Sequence, residues 1–339
     1  MLEGLFTRSR GGDRSAEATT LQPAAEHPTI ALALGGGAAR GFAHIGVIRT
    51  LLAHGIVPEI IVGTSIGAVV GGCYAANQLD DFETWARGLT VRGVLGYLDV
   101  NLGGSGLIRG KHLAKQLEKA LDDIRIENLT MRFAAIATEF TTGHEVWLTR
   151  GRLVDALRAS YALPGIFPPM RIGGRWLVDG ALVNPVPVSA ARALDARLVI
   201  AVNLNADLFG RGTTIANHGS DENDELELLK NDKTMAGMFG RERFLRRHFF
   251  GRRQGPGIPT VMVEAFNVMQ DRITRARLAG DPPDVLISPR LGEIGWFEFH
   301  RAEEAISIGA DATEKNIDVI LEAVSALSHA TSPAAGPPK

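Results

Sequence analysis

Between residues 29 and 76 the chain alternates twice between a short β-type run and a helical one, and each change passes through a glycine turn. "TIALAL" ends in Gly35-Gly36-Gly37. "ARGFAHIGVIRTLLAHG" then places Phe42, Ile45, Ile48, Leu51 and Leu52 on one broad face, with Gly55 as a stop. "EIIVGTS" repeats the strand. Residues 66–76 follow as a helix whose Gly67, Ala68, Gly71, Gly72, Ala75 and Ala76 allow very close packing. Strand, helix, strand, helix is the order of a parallel sheet with right-handed crossovers. The longest uncharged run, residues 60–79, is accordingly read as strand, turn and buried helix, not as a membrane span.

The alternation continues. "KHLAKQLEKAL" is an amphipathic helix with Leu113, Leu117 and Leu121 in register, "FAAIAT" and "EVWLT" are strands, and "LVDALRAS" is a helix running into the turn-rich "YALPGIFPP". "RWLVDGA", "RLVIAVNL", "PTVMVEA" and "DVLISP" read as further strands, and a last helix is expected over roughly 301–327. The expectation is one α/β domain over 29–328, with a mostly parallel central sheet flanked by helices and a motif-bearing core at 31–192. Residues 205–257 hold an acidic run, then a basic aromatic run, and read as a flexible insertion. Residues 1–28 and 329–339 read as disordered tails. Residues 1–28 lack the continuous apolar core of a secretory signal, so a cytoplasmic location is expected. With 339 residues and a net charge of −2, no whole-chain field points to nucleic acid. One cysteine, Cys73, excludes an intramolecular disulfide or a Cys-based metal site, and no metal-ligand cluster or cofactor is expected.

The first glycine turn, "LGGGAARG", fails as a dinucleotide fingerprint, because Arg40 and Ala38 stand where glycines belong and no acidic residue ends the second strand. No Gly-Lys-Ser/Thr follows, so it is not a P-loop either. Two readings remain. The loop is a tight turn that needs glycine for sterics, or its amides hold developing negative charge as an oxyanion hole. The second turn, Gly63-Thr64-Ser65-Ile66-Gly67, is a G-x-S-x-G nucleophile elbow between a strand and a helix, and the Ile66 amide would add a donor. The ordinary Ser-Asp-His order lacks a convincing histidine: His112, His144, His218, His248, His300 and His329 lie in charged, polar or terminal settings. Asp179 ends the apolar strand "RWLVD" before Gly180. It is either the base at the sheet's ligand-binding end or a plain Asp-Gly turn residue.

These residues together resemble the patatin-like phospholipase family. Gly36-Gly37-Ala38-Ala39-Arg40-Gly41 is similar to its glycine motif, Gly63 to Gly67 to its elbow, Asp179-Gly180-Ala181 to its Asp-Gly-Ala/Gly motif, and "SYALPGIFPP" to its Ser-x-Ala-x-Pro-x-x-Phe-Pro-Pro segment. The stretch "DVLISPRLGEIGWFEFHRAEEAISIGADA" is similar to the ending of bacterial, RssA-like or YchK-like members. The resemblance implies a Ser-Asp dyad without histidine, with Ser65 as nucleophile and Asp179 as base. It also implies an oxyanion hole from the amides of Gly36, Gly37, Ala38 and Ile66, and acyl esters of phospholipid or lysophospholipid as substrate. A general carboxylesterase or neutral-lipid lipase is the alternative enzyme. A lipid-binding regulatory protein is the alternative of another class. Ala38 departs from the glycine common at its position.

Other residues keep two readings. Arg40 at a helix start opposes the helix dipole, which leaves a structural role or a contact with an anionic head group. His44 is expected to pack or hydrogen-bond, and Asn184 to order the turn after Asp179. In residues 238–253, "MFGRERFLRRHFFGRR", six arginines accompany Met238, Phe244, Leu245, Phe249 and Phe250. That composition suits a peripheral contact with the inner membrane surface, or a helix packed on the core with solvated arginines. Nothing in the sequence fixes the oligomeric state.

Overall fold

The computed structural model describes residues 29–97, 110–121, 123–207 and 257–330. The N-terminal tail, the C-terminal tail beyond 330 and most of the insertion, with its 238–253 segment, lie outside the described residues.

Strand β1 (Ile30–Leu34) leads through a 3-10 turn at Ala38–Phe42 into α1 (Ala43–Ala53), and β2 (Ile60–Thr64) leads through Ser65 into α2 (Ile66–Ala75). Helices α3 (Leu79–Arg87), α4 (Val91–Tyr97) and α5 (Lys111–Leu121) follow. Then come β3 (Arg132–Glu139), β4 (Glu145–Leu148), α6 (Leu153–Ser160), β5 (Met170–Ile172), β6 (Arg175–Asp179), α7 (Val188–Ala193) and β7 (Leu198–Val202). Helix α8 (Ile258–Gly280), β8 (Val285–Ile287), α9 (Ala302–Glu314) and α10 (Ile317–Ala330) complete the described chain.

All eight strands form one sheet, in the order β5-β6-β3-β2-β1-β7-β8 with β4 also on β3. The centre, from β3 to β8, is parallel, while β4, β5 and β6 pair antiparallel at one end. Alternation along the strands splits the core in two. Leu32 and Leu34 face a large cluster with α1, α2, α6 and α9, whereas Ala31 and Ala33 face Val188, Ala190 and Ala191 of α7. The helices come unusually near where both sides are small. A Cβ on Gly67 would lie 2.2 Å from Leu34 O, and one on Gly46 of α1 2.0 Å from Ile306 O of α9.

One pairing positions the site. Thr64, the last residue of β2, pairs with Ile136, and Asp179, the last of β6, pairs with Ala137. Both β2 and β6 share register positions of β3 with β4, so both lie on the edge opposite β4. They approach each other end to end along that edge, and their C-terminal residues meet.

Two expectations are corrected. "PTVMVEA" is the first part of helix α8, not a strand. Its β-branched residues suggest a strand, but the buried positions downstream are Phe266, Asn267, Gln270, Asp271 and Thr274, a helical stripe, and Pro259 sits in the first turn where its missing N–H costs nothing. The last helix is two helices. Thr313 Oγ1 donates back to Gly309 O, Asn316 Nδ2 to Ala312 O and Asn316 N to Thr313 O, so local polar bonds close a tight turn between α9 and α10. Helices α3, α4 and α7 and strand β5 were not anticipated.

Candidate active site

Ser65 stands between β2 and α2 with φ 56° and ψ −123°, a conformation costly for a residue with a Cβ. Its neighbours impose it. A Cβ on Gly63 would lie 2.4 Å from Ala68 N, so strand and helix fold back on each other with no side chain between them. Ser65 N donates to Ser160 Oγ at 2.9 Å, and Ser160 Oγ donates to Ile136 O at 2.6 Å. Thr64 Oγ1 donates to the backbone carbonyl of Asn184 at 2.8 Å, and the Asn184 side chain donates from Nδ2 to Glu145 Oε1 at 2.8 Å and Ser189 Oγ at 3.3 Å.

Asp179 is buried, 2% exposed. Its Oδ2 accepts from Ser65 Oγ at 2.6 Å, and its Oδ1 accepts from Ala181 N at 2.8 Å. Burial pushes the carboxyl up to about 7, against the smaller opposing pull of those two hydrogen bonds. Gly180 is required by contact, since a Cβ there would lie 2.3 Å from Ile136 O. Among the described residues no histidine lines the cleft around this pair. Buried His44, held down to about 4 by desolvation, instead spends Nε2–H on Gly35 O at 2.8 Å.

The glycine loop is tied peptide by peptide. Gly35 O accepts from His44, and Gly36 N donates to Pro185 O at 3.0 Å. The Gly36 amide, one of the four donors expected for an oxyanion hole, is therefore engaged by a backbone carbonyl. Gly36 O accepts from Asn205 Nδ2 at 3.2 Å, while Gly37 N has no acceptor among the described residues. The same holds for the amides of Ala38 and Ile66. Ala38 adopts φ 51°, so the residue that replaces glycine sits in the strained left-handed region. Gly41 lets α2 approach: a Cβ there would lie 2.2 Å from Ile66 Cγ1. Arg40 is buried, its Nε donating to Ile294 O at 3.1 Å and its NH1 to Asn205 Oδ1 at 2.9 Å. The head-group reading of Arg40 is thereby corrected: the cation faces inward and braces the loop.

Ser65, Asp179, Gly37, Ala38 and Ile66 all line one cleft, which holds ≈ 1040 Å³ of atom-free space, part of it open to solvent. Its walls include Phe42, Trp85, Tyr161, Phe167, Phe266 and Trp296. Apart from Asp179, no charged side chain lines it among the described residues. Burial in a cleft of this kind would stabilise an aliphatic chain by about 0.8 kcal/mol per CH₂. Three polar residues escape sequence reasoning. Ser160 was visible only as part of "SYALPG", and Asn205 and Gln270 carried no local signal. Among the described residues no three His, Cys, Asp or Glu side chains are grouped as metal ligands, and no helix is long and apolar enough to cross a membrane.

Residues 32–192 match the family model described as patatin-like phospholipase. An uncharacterised NTE-family protein of Mycobacterium bovis is 33% identical over 326 residues, spanning 83% of this chain and 89% of the relative. One of Mycobacterium tuberculosis matches to the same extent, 33% over 326 residues, 83% of this chain and 89% of its own. Mouse patatin-like phospholipase domain-containing protein 7 is 32% identical over 211 residues, 60% of this chain and 16% of that much longer protein.

Proposed function

This chain belongs to the patatin-like phospholipase family, and from that premise we propose that it is a serine acyl-ester hydrolase cleaving fatty-acyl esters of phospholipids or lysophospholipids. The observation that carries the reading is the 2.6 Å hydrogen bond from Ser65 Oγ to Asp179 Oδ2, inside an aromatic cleft.

In this reading Ser65 Oγ attacks the ester carbonyl and its proton passes to Asp179 Oδ2. A carboxylate is a poor base toward a hydroxyl, and burial narrows the gap by raising its pKa to about 7. The tetrahedral oxyanion is met by the open amides of Gly37, Ala38 and Ile66, each such donor being worth about 2.7–4 kcal/mol. Collapse breaks the C–O bond, the alcohol departs with the proton from Asp179, and the acyl chain stays on Ser65 in the apolar cleft. Water then attacks the acyl-enzyme, gives its proton to Asp179, and the freed fatty acid leaves as Ser65 recovers that proton.

The neutral cleft favours one second reading, a carboxylesterase or neutral-lipid lipase indifferent to the head group. The experiment that tests the proposal is covalent labelling of Ser65 by a fluorophosphonate, together with hydrolysis of a lipid panel read by mass spectrometry. Labelling with release of fatty acid from phospholipid or lysophospholipid supports the proposal. Release from triacylglycerol or simple esters alone supports the second reading. An unlabelled Ser65 in folded protein points to a lipid-binding protein.

A further inference from the structure

Asn205 joins three groups near the glycine loop. Arg40 NH1 donates to its Oδ1 at 2.9 Å, and its Nδ2 donates to Gly36 O at 3.2 Å and to Gln270 Oε1 at 3.0 Å. The polarity of this chain is forced from one end. A guanidinium only donates and a peptide carbonyl only accepts. Asn205 must therefore turn Oδ1 to Arg40 and Nδ2 to Gly36. The group it presents to Gln270 is then a donor, so Gln270 turns Oε1 toward Asn205 and Nε2 away.

Gln270, on α8, is 2% exposed and lines the same cleft as Ser65. Its Nε2 donates to no acceptor among the described residues and is not one of the fully buried atoms left without a partner, so it reaches the open space of the cleft. Around it the wall is aromatic, with Phe266 and Trp296 in edge contact at 5.5 Å. An amide whose donors face the open space of a cleft walled by aromatic rings is completed by water or by a ligand oxygen, and a ligand that fills the cleft displaces the water.

We propose that Gln270 is a substrate-positioning residue that donates from Nε2 to an uncharged oxygen beside the scissile ester. The proposal deepens the acyl-ester hydrolase reading and rests on it. No Lys or Arg lines the cleft among the described residues, so the recognised oxygen belongs to the glycerol portion of the lipid and not to its phosphate. It is either a free hydroxyl or the carbonyl of a second ester. The bond also reaches the reacting centre. Asn205 Nδ2 is shared between Gln270 and Gly36 O, and a peptide is planar, so what fixes Gly36 C=O fixes the direction of Gly37 N–H.

Three probes separate the possible oxygens: a monoacyl phosphatidylcholine with its free 2-hydroxyl, the diacyl lipid with a second ester there, and the 2-deoxy monoacyl analogue with neither. Gln270→Glu still accepts from Asn205 but presents an oxygen where Nε2 stood, and Gln270→Leu removes both groups. In wild-type protein the probe bearing the recognised oxygen should exceed the deoxy analogue about tenfold in kcat/KM, and both variants should bring that ratio near one. A merely structural role would lower every probe alike and leave the ratio intact. The same ratio is read as Kd in the Ser65→Ala background, where turnover is not needed. A ratio near one in wild-type protein, or one that survives in both variants, overturns the proposal. A Gln270-dependent Kd ratio with no hydrolysis of any probe supports the contact and overturns the hydrolase reading instead.

Discussion

The backbone amide of Ser65 is held by the side chain of Ser160, which in turn is anchored on Ile136 O of the central strand. A strained serine thus rests on a hydroxyl that both accepts and donates, 95 residues away in sequence. Ser160→Ala leaves a backbone N–H and a carbonyl without partners at the elbow. It should cost about 1–3 kcal/mol in stability, read by urea denaturation. It should also lower kcat by about tenfold or more with a smaller change in KM, because the fault lies in aiming the hydroxyl. Wild-type kcat in Ser160→Ala would remove Ser160 from the positioning of Ser65.

Ser65→Ala should abolish both fluorophosphonate labelling and ester hydrolysis. Asp179→Asn should lower the rate by several orders of magnitude, roughly 10⁴-fold being the cost of disabling the orienting acid in other serine hydrolases, with circular dichroism unchanged. Alanine at each histidine after Ser65 should have little effect. A histidine variant as inactive as Ser65→Ala would replace the two-residue machinery by a triad.

Asp179 should give activity and stability opposite responses to pH. The base must be ionised, so kcat/KM should rise with an apparent pKa near 7, not near 3.8. Stability runs the other way. The folded pKa is raised, so the native state binds more protons than the unfolded state between pH 3.8 and about 7, and this group's contribution falls as pH rises through that window. Above it the ionised carboxylate costs on the order of 4 kcal/mol, three pKa units at 1.36 each. Asp179→Asn should therefore be more stable than wild type at pH 8, with the advantage gone at pH 4. An advantage independent of pH, in urea titrations at the two pH values, would contradict the raised pKa.

The basic aromatic segment at 238–253 gives a prediction from sequence alone. If it docks on membranes, Phe249→Ser with Phe250→Ser, and separately Arg246→Glu with Arg247→Glu, should lose binding to anionic vesicles, each basic residue contributing about 1 kcal/mol. Hydrolysis of vesicle lipid should fall with it, while a small soluble ester is still cleaved. Unchanged vesicle flotation in both variants would exclude the segment as the contact.

What the sequence revealed follows from locality. The loop at 35–41 and the elbow at 63–67 were visible because a strand, a turn and a helix announce themselves within a few residues. The Asp-Gly after "RWLV" was visible for the same reason. The inward course of Arg40, the engagement of Gly36 N by Pro185 and the chain from Arg40 to Gln270 were not, because each partner is supplied by a distant segment. "PTVMVEA" misled because valine and threonine favour strands locally, whereas the stripe that decides for a helix begins only at Phe266. The helix crossing at Gly46 and Gly309 left only two isolated glycines as its trace. The motifs place the chain in its family, and the relatives found speak for the family at large, including its NTE-named members, without singling out the RssA-like or YchK-like ones.

The end-to-end approach of β2 and β6 along β3 bears on how the protein is made. Ser65 and Asp179 acquire each other only after a strand from the middle of the chain has been seated against both, which closes a loop of 114 residues. Strand β1, which supports the elbow from the other side, gains its outer neighbour only when residues 198–202 arrive. During synthesis Ser65 therefore emerges from the ribosome long before Asp179, and the part of the cleft wall that α8 supplies comes later still. On the proposed hydrolase reading, reactivity at Ser65 is a property of the finished molecule, so a nascent or half-unfolded chain would carry the hydroxyl without the power to cut lipid.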